Sequence, residues 1–233
     1  MGTKHSLSLG GGRFPSLQLA ADMHPSQHVR VLGVVISADL GLEQHVTNVS
    51  ATCFYHLRQL RHIRRTLSKE SATTLEHAFV MSRVDYCNVV FAGAPKSTTN
   101  KLQRVMNAAA RVVSGSRKYD RGLTQLLHVE VHWLDVPGRT KYKLSMMMRR
   151  CLNGTAPQYL AAHCVPASRQ HLRSAASHQL IVPSYRLSSY GRRSSFWVAG
   201  PATWNSLPRH LRDPVHTTPV SGRLLKTFFF SEY

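Results

Sequence analysis

Between Leu42 and Gly115 three successive segments repeat their apolar residues at helical spacing, and nothing else in the chain restricts its fold as much. From Leu42 to Arg65, Val46, Val49, Cys53, Leu57, Leu60 and Ile63 recur three or four residues apart, the period of one helix face. At about 100° per residue, Arg58, Arg61, His62 and Arg65 fall together on the opposite face. A second segment, Lys69 to Phe91, is apolar almost all round. Leu75, Ala78, Phe79, Ser82, Tyr86 and Val89 make one expected inner stripe, while Val80 and Val84 point the other way. Such a helix is central in a bundle. Ser68 is placed to cap it, with Glu70 favourable in its first turn. Gly93-Ala94-Pro95 breaks the pattern, and Ser97 can cap a third helix from Thr98 to Val113. Leu102, Val105, Met106, Ala109 and Val112 form its stripe, Arg104 and Arg111 lie opposite, and Gly115 is a natural stop. Three antiparallel helices on short loops make a small bundle.

The flanks are less regular. Residues 1–28 hold the Gly10-Gly11-Gly12 triplet and no sustained period, which predicts an irregular leader. Val29 to Ile36 is a β-branched run that reads as one strand, and Ser37 to Gly41 turns the chain. After Tyr119 the spacing predicts a short helix over Gly122 to His128, another from Arg139 to Leu152, a start near Pro157 to Ala162, and a final amphipathic helix from Leu224 to Phe230. Pro166 to Arg193 is rich in Ser, His and Arg, with a strand-like Gln179 to Val182; Phe196 to Leu211 carries an apolar-aromatic cluster. The expected fold is mainly α: a three-helix bundle, preceded by a short β-strand and followed by a loosely packed α-rich C-terminal region. The expected units are 1–28, a leader; 29–118, strand plus bundle; and 119–233, a basic C-terminal region.

Charge is the strongest global signal. The chain carries 30 Lys+Arg against 11 Asp+Glu, a net charge of +19. The excess lies on both larger units, so it belongs to the folded body rather than to one tail. A field of this sign attracts polyanions, nucleic acid above all, or an anionic membrane surface. No apolar run reaches the length of about 18 residues needed to span a bilayer, and no signal-peptide core stands at the N-terminus. Met1 to Ser6 fits a loose myristoylation pattern that a Gly-rich leader explains equally well. Cys53, Cys87, Cys151 and Cys164 form no CxxC pair, which argues for reduced thiols in an intracellular compartment, nucleus or cytoplasm.

Little in the chain suggests catalysis. His128-Val129-Glu130-Val131-His132 would place two imidazoles and a carboxylate on one side of a strand, a zinc-like spacing that a solvated strand or loop edge also produces. No two acids are adjacent, as two-metal chemistry would favour, and no P-loop, G-x-S-x-G or dinucleotide turn occurs. Asp85, beside Arg83, is expected to be a structural anchor. Met146-Met147-Met148 with Arg149-Arg150 reads as core packing beside a solvated edge. No cofactor is expected. Nucleic-acid binding is better supported. Arg58, Arg61 and Arg65 form one cationic face, joined by Arg104, Arg111, Arg117 and Lys118 on or after the third helix. Guanidinium forks suit phosphate oxygens and give affinity without sequence preference, so RNA and DNA are both expected partners.

Several stretches, taken in order, resemble a known family. Val31-Leu32-Gly33-Val34-Val35-Ile36 and Ser82-Arg83-Val84-Asp85-Tyr86-Cys87-Asn88 are similar to the region downstream of the palm in LINE-type, non-LTR retrotransposon reverse transcriptases of the jockey-like group. The likeness continues through Leu102-Gln103-Arg104-Val105-Met106-Asn107-Ala108-Ala109-Ala110-Arg111 and His132-Trp133-Leu134-Asp135-Val136-Pro137. It ends with Ala156-Pro157-Gln158-Tyr159-Leu160 and Gly200-Pro201-Ala202-Thr203-Trp204-Asn205-Ser206-Leu207-Pro208. The resemblance implies a thumb over Leu42 to Gly115 and a C-terminal region that helps grip template RNA and target DNA. Two departures bear on activity. The palm's paired aspartates have no counterpart, and Ser37 stands where the family carries an acid after the LGV strand. The expectation is therefore a noncatalytic remnant of an RNA-directed DNA polymerase that binds nucleic acid. The alternative is a protein-interaction element or a pseudogene-like product without that role.

Overall fold

The structure is a computed structural model that describes residues 17–19, 21–23, 26–117, 120–162, 164–167, 178–184 and 195–233. Lys118, the glycine triplet, the Met1 to Ser6 pattern and most of Pro166 to Arg193 lie outside the described residues. The fold is mainly helical, with short strands before the helices. In the leader, β1 (Leu17–Leu19) pairs antiparallel with β2 (Ala21–Met23). The single strand expected over Val29 to Ile36 is instead a hairpin of β3 (His28–Val31) and β4 (Val34–Ser37). Its two-residue turn is Leu32-Gly33, with φ of 48° and 84°. Positive φ at both positions matches the twist of the flanking strands, and glycine takes it without strain. That turn divides the β-branched run into two strands.

Helix α1 (Glu43–Ile63) follows, then a 3₁₀ turn at Arg64–Thr66. Ser68 caps α2 (Lys69–Glu76), its hydroxyl accepting from the Ser71 N–H at 3.1 Å. The backbone stays helical through a π turn at His77–Met81 into α3 (Ser82–Asp85). Cys87 then turns left-handed at φ 53°, and Asn88–Phe91 is 3₁₀. The second helix is therefore shorter than its apolar pattern predicts. Helix α4 (Lys96–Ser114) begins earlier than expected, with Pro95 rather than Ser97 at its N-cap, and ends at left-handed Gly115 as expected.

These segments enclose one core. Val46, Cys53, Leu57 and Leu60 of α1 meet Leu102, Val105, Met106, Ala109 and Val112 of α4, all of them buried. Burial of one such large aliphatic side chain contributes about 1.5–3 kcal/mol. Ile63 is nearly half exposed and lies outside this core. Helix α1 runs parallel to α4, since Lys101 bonds Glu43 at one end and Arg64 reaches Val112 and Val113 at the other. The α2–α3 segment runs antiparallel to α1.

The buried stripe of α2–α3 is not the expected one. Ala72, Glu76, Val80, Met81 and Val84 face inward, whereas Phe79 and Tyr86 are 42% and 49% exposed and Ala78 and Ser82 are exposed. The π turn is the reason. It holds an extra residue per turn, so positions four apart stay on one line instead of drifting round the helix. Phe79 stacks on His56 with ring centroids 5.3 Å apart. Tyr86 donates its hydroxyl to the Leu32 carbonyl at 2.6 Å and latches the hairpin to the bundle.

Past the bundle come α5 (Leu123–Gln125), a π turn at Leu126–Glu130, α6 (Val136–Leu152), α7 (Gln158–Ala161), α8 (Phe196–Ser206), a 3₁₀ turn at Arg209–Arg212 and α9 (Thr218–Ser231). Asp135 caps α6 by accepting from the Gly138 N–H at 2.7 Å, with Pro137 in the first turn. This region packs about its own cluster, which includes Met148, Trp204, Leu207, Leu225 and Phe229. Arg149 is buried rather than solvated. Its guanidinium lies 4.8 Å from the Trp204 ring centroid and donates to the Leu211 and Asp213 carbonyls. The strand expected over Gln179 to Val182 is reduced to one antiparallel bridge, Leu180 to Pro166. Among the described residues no helix is long and apolar enough to cross a membrane.

Candidate nucleic-acid interface

Helices α1 and α4 lie side by side, and a groove of about 560 Å³ opens on the flank of that contact. It is lined by Phe54, Leu57, Arg58, Arg61 and His62 from α1, and by Ala108 and Arg111 from α4. Helical spacing puts Phe54, Arg58 and Arg61 on one stripe of α1 and Arg104, Ala108 and Arg111 on one stripe of α4. The small Ala108 side chain leaves room between them. Arg58 and Arg61 are exposed, and Arg111 is partly buried. No carboxylate lines the groove. The ion pairs found among the described residues lie elsewhere, Lys101–Glu43 at 3.2 Å and Arg139–Asp85 at 2.7 Å. Three guanidinium groups therefore face one concavity without local neutralisation, which suits it to phosphate oxygens.

The other expected contact residues flank this groove. Arg104 is exposed one turn before Ala108. Arg65 is exposed in the 3₁₀ turn that follows α1. Arg117 is exposed beyond the end of α4, its backbone N–H bonded to the Asp120 carboxylate. Arg64 differs from its neighbour Arg65. Its Nε donates to the Val112 carbonyl at 2.8 Å, Nη2 to Val113 at 2.8 Å and Nη1 to Leu67 at 3.0 Å. It ties the end of α1 to the last turn of α4 and so fixes the spacing of the groove's walls. Phe54, 41% exposed among these arginines, is a groove residue that the charge pattern did not single out. Its signal was its position four residues before Arg58.

The zinc-like spacing does not form a ligand set. His128, Val129 and Glu130 lie in a π turn rather than a strand, and the His128 ring stacks on Tyr233 at 3.6 Å. His132 meets Phe230 edge-on. Among the described residues no three His, Cys, Asp or Glu side chains converge as a metal site. Asp85 does anchor structure. It pairs with Arg139 of α6, not with Arg83, and takes a second contact from Asn88 at 3.4 Å. Comparison with protein-family models, curated proteins and solved structures finds no match to this chain.

Proposed function

We propose that this chain binds RNA or DNA without sequence preference, through the α1–α4 groove, as a noncatalytic thumb-like part derived from a non-LTR retrotransposon reverse transcriptase. The observation that carries the binding assignment is the convergence of Arg58, Arg61 and Arg111 on one groove that no carboxylate lines. The ordered likeness of Val31 to Ile36, Ser82 to Asn88 and Leu102 to Arg111 supports the origin. The absence of a paired-aspartate motif from the sequence supports the noncatalytic assignment.

The test is the salt dependence of binding to a mixed-sequence duplex and to a single strand. For each phosphate contact, the slope of log affinity against log salt is roughly −0.9 for duplex DNA and −0.7 for single strands. Combining Arg58→Ala, Arg61→Ala and Arg111→Ala is expected to flatten that slope by about 2 to 3. A charge-matched control in Lys141, Lys143 and Arg150, which are exposed on α6, should change it far less. Equal effects of the two variants would mean that global charge, and not the groove, does the binding.

A further inference from the structure

A second concavity, of about 480 Å³, lies between the β3–β4 hairpin, the first half of α1 and the start of α3, with Tyr86 just beyond that helix. Arg30 of β3 and Arg83 of α3 contribute two guanidinium groups, and His45 lies on the α1 wall. The Asn48 side-chain amide adds a neutral donor, the Thr52 and Ser82 hydroxyls donate to the Asn48 and Ala78 carbonyls of their own helices, and no carboxylate is among the lining residues. The walls are held in place. Tyr86 bonds the Leu32 carbonyl at 2.6 Å, and Gly33 adopts φ +84° beside the Tyr86 ring. Arg83 keeps one long 3.5 Å contact to His56, which leaves its fork largely uncommitted.

Two guanidiniums and an amide donor around a cavity of nucleotide size suit a compact dianion rather than a polymer backbone running past. We propose that this pocket binds a phosphate monoester, with Arg30 and Arg83 clamping its oxygens and the Asn48 amide completing the shell. His45 senses the field of the same pocket. Burial, and then the nearby Arg30, hold its imidazole below its ordinary value. An anion seated beside Arg30 would offset that repulsion, so the ligand has a built-in reporter. On α1 the pocket residues His45, Asn48 and Thr52 lie on the flank opposite Phe54, Arg58 and Arg61, so the two sites can be disabled separately.

The experiment titrates the full chain with adenosine 5′-monophosphate, inorganic phosphate and adenosine, following heat release and the His45 ring resonance. The monophosphate should shift that resonance and raise the His45 pKa, while adenosine does neither. Arg30→Ala and Arg83→Ala should each weaken binding roughly tenfold or more. Both side chains are exposed, so these variants should keep the unfolding temperature of the parent. The Arg58→Ala, Arg61→Ala, Arg111→Ala variant should bind the monophosphate normally, even if groove binding to nucleic acid proves absent. Phosphate binding as tightly as the nucleotide would identify free phosphate as a sufficient ligand; tighter nucleotide binding would identify a nucleotide. Adenosine binding as well as its monophosphate, an unmoved His45, or a double arginine variant of full affinity would each overturn the assignment.

Discussion

Glu76 brings a carboxyl group into the helical core, fully buried, with no hydrogen-bond partner for either oxygen. Burial pushes its pKa up to about 8; the Arg139 charge opposes that shift and the Asp85 charge adds to it. Near neutral pH the folded chain therefore holds Glu76 protonated, whereas the unfolded chain, with a value near 4.5, has released the proton. Folding takes up a proton across that interval, so stability falls as pH rises from about 4.5 to about 8 and is level beyond both limits. At pH 7 the penalty is on the order of 3 kcal/mol. Glu76→Gln should remove this slope and raise the denaturant midpoint at pH 8. Equal pH profiles for the parent and the variant would refute a neutral buried carboxyl. Periodicity does not single out Glu76: the expected apolar stripe passes through Leu75 and Phe79, and a glutamate in the charged first half of a helix reads as solvated. The opposite holds for Leu102, Val105, Met106, Ala109 and Val112. Their spacing is regular, the helix has no π turn, and every one is buried as expected.

Between elements, adjacent arginines divide into different roles. Arg64 supplies three donors to carbonyls, two of them in the last turn of α4, where helical partners run out and the helix dipole is negative. Arg64→Ala should cost about 2–3 kcal/mol, read as a lower urea midpoint at an unchanged slope. Arg65→Ala should leave stability within about 0.5 kcal/mol and act only on nucleic-acid binding. The reverse ordering would exchange their roles. In the sequence both are one basic pair at the end of a helix. The distinction depends on which carbonyls α4 brings near, and no local pattern encodes that. The hairpin shows a related limit. Leu32-Gly33 is legible as a dipeptide, but β-branched residues on both sides of it read as one strand, and the partner of its carbonyl, Tyr86, lies 54 residues away. The groove was more legible because its arginines follow helical spacing on both helices. Only their convergence required knowing that α1 and α4 run parallel.

For the molecule as a whole, α6 decides whether the two halves behave as one. Val136 enters the bundle core, Leu144 packs with Ala92 and Ala199, and Met148 and Cys151 belong to the C-terminal cluster. Polar contacts follow the same line. The Val136 N–H donates to Gln103 Oε1 at 2.9 Å, the Thr140 hydroxyl reaches the Asn88 carbonyl at 3.3 Å, and Arg139 pairs with Asp85. A helix that contributes to the bundle core, the C-terminal cluster and the cluster between them cannot leave one without uncovering surface in the others. Damage to the C-terminal cluster should therefore be felt in the bundle. Trp204 is the largest fully buried side chain, and its indole N–H donates to the His178 carbonyl at 3.0 Å. Trp204→Ala should destabilise by about 3–5 kcal/mol. Hydrogen exchange should show protection falling together in α1, α4, α8 and α9, as expected of one cooperative unit. If α8 and α9 lost protection while α1 and α4 kept theirs, the bundle would be an autonomous module. Groove binding would then survive in that variant, whereas cooperative coupling predicts that it weakens in step with the population of folded chain.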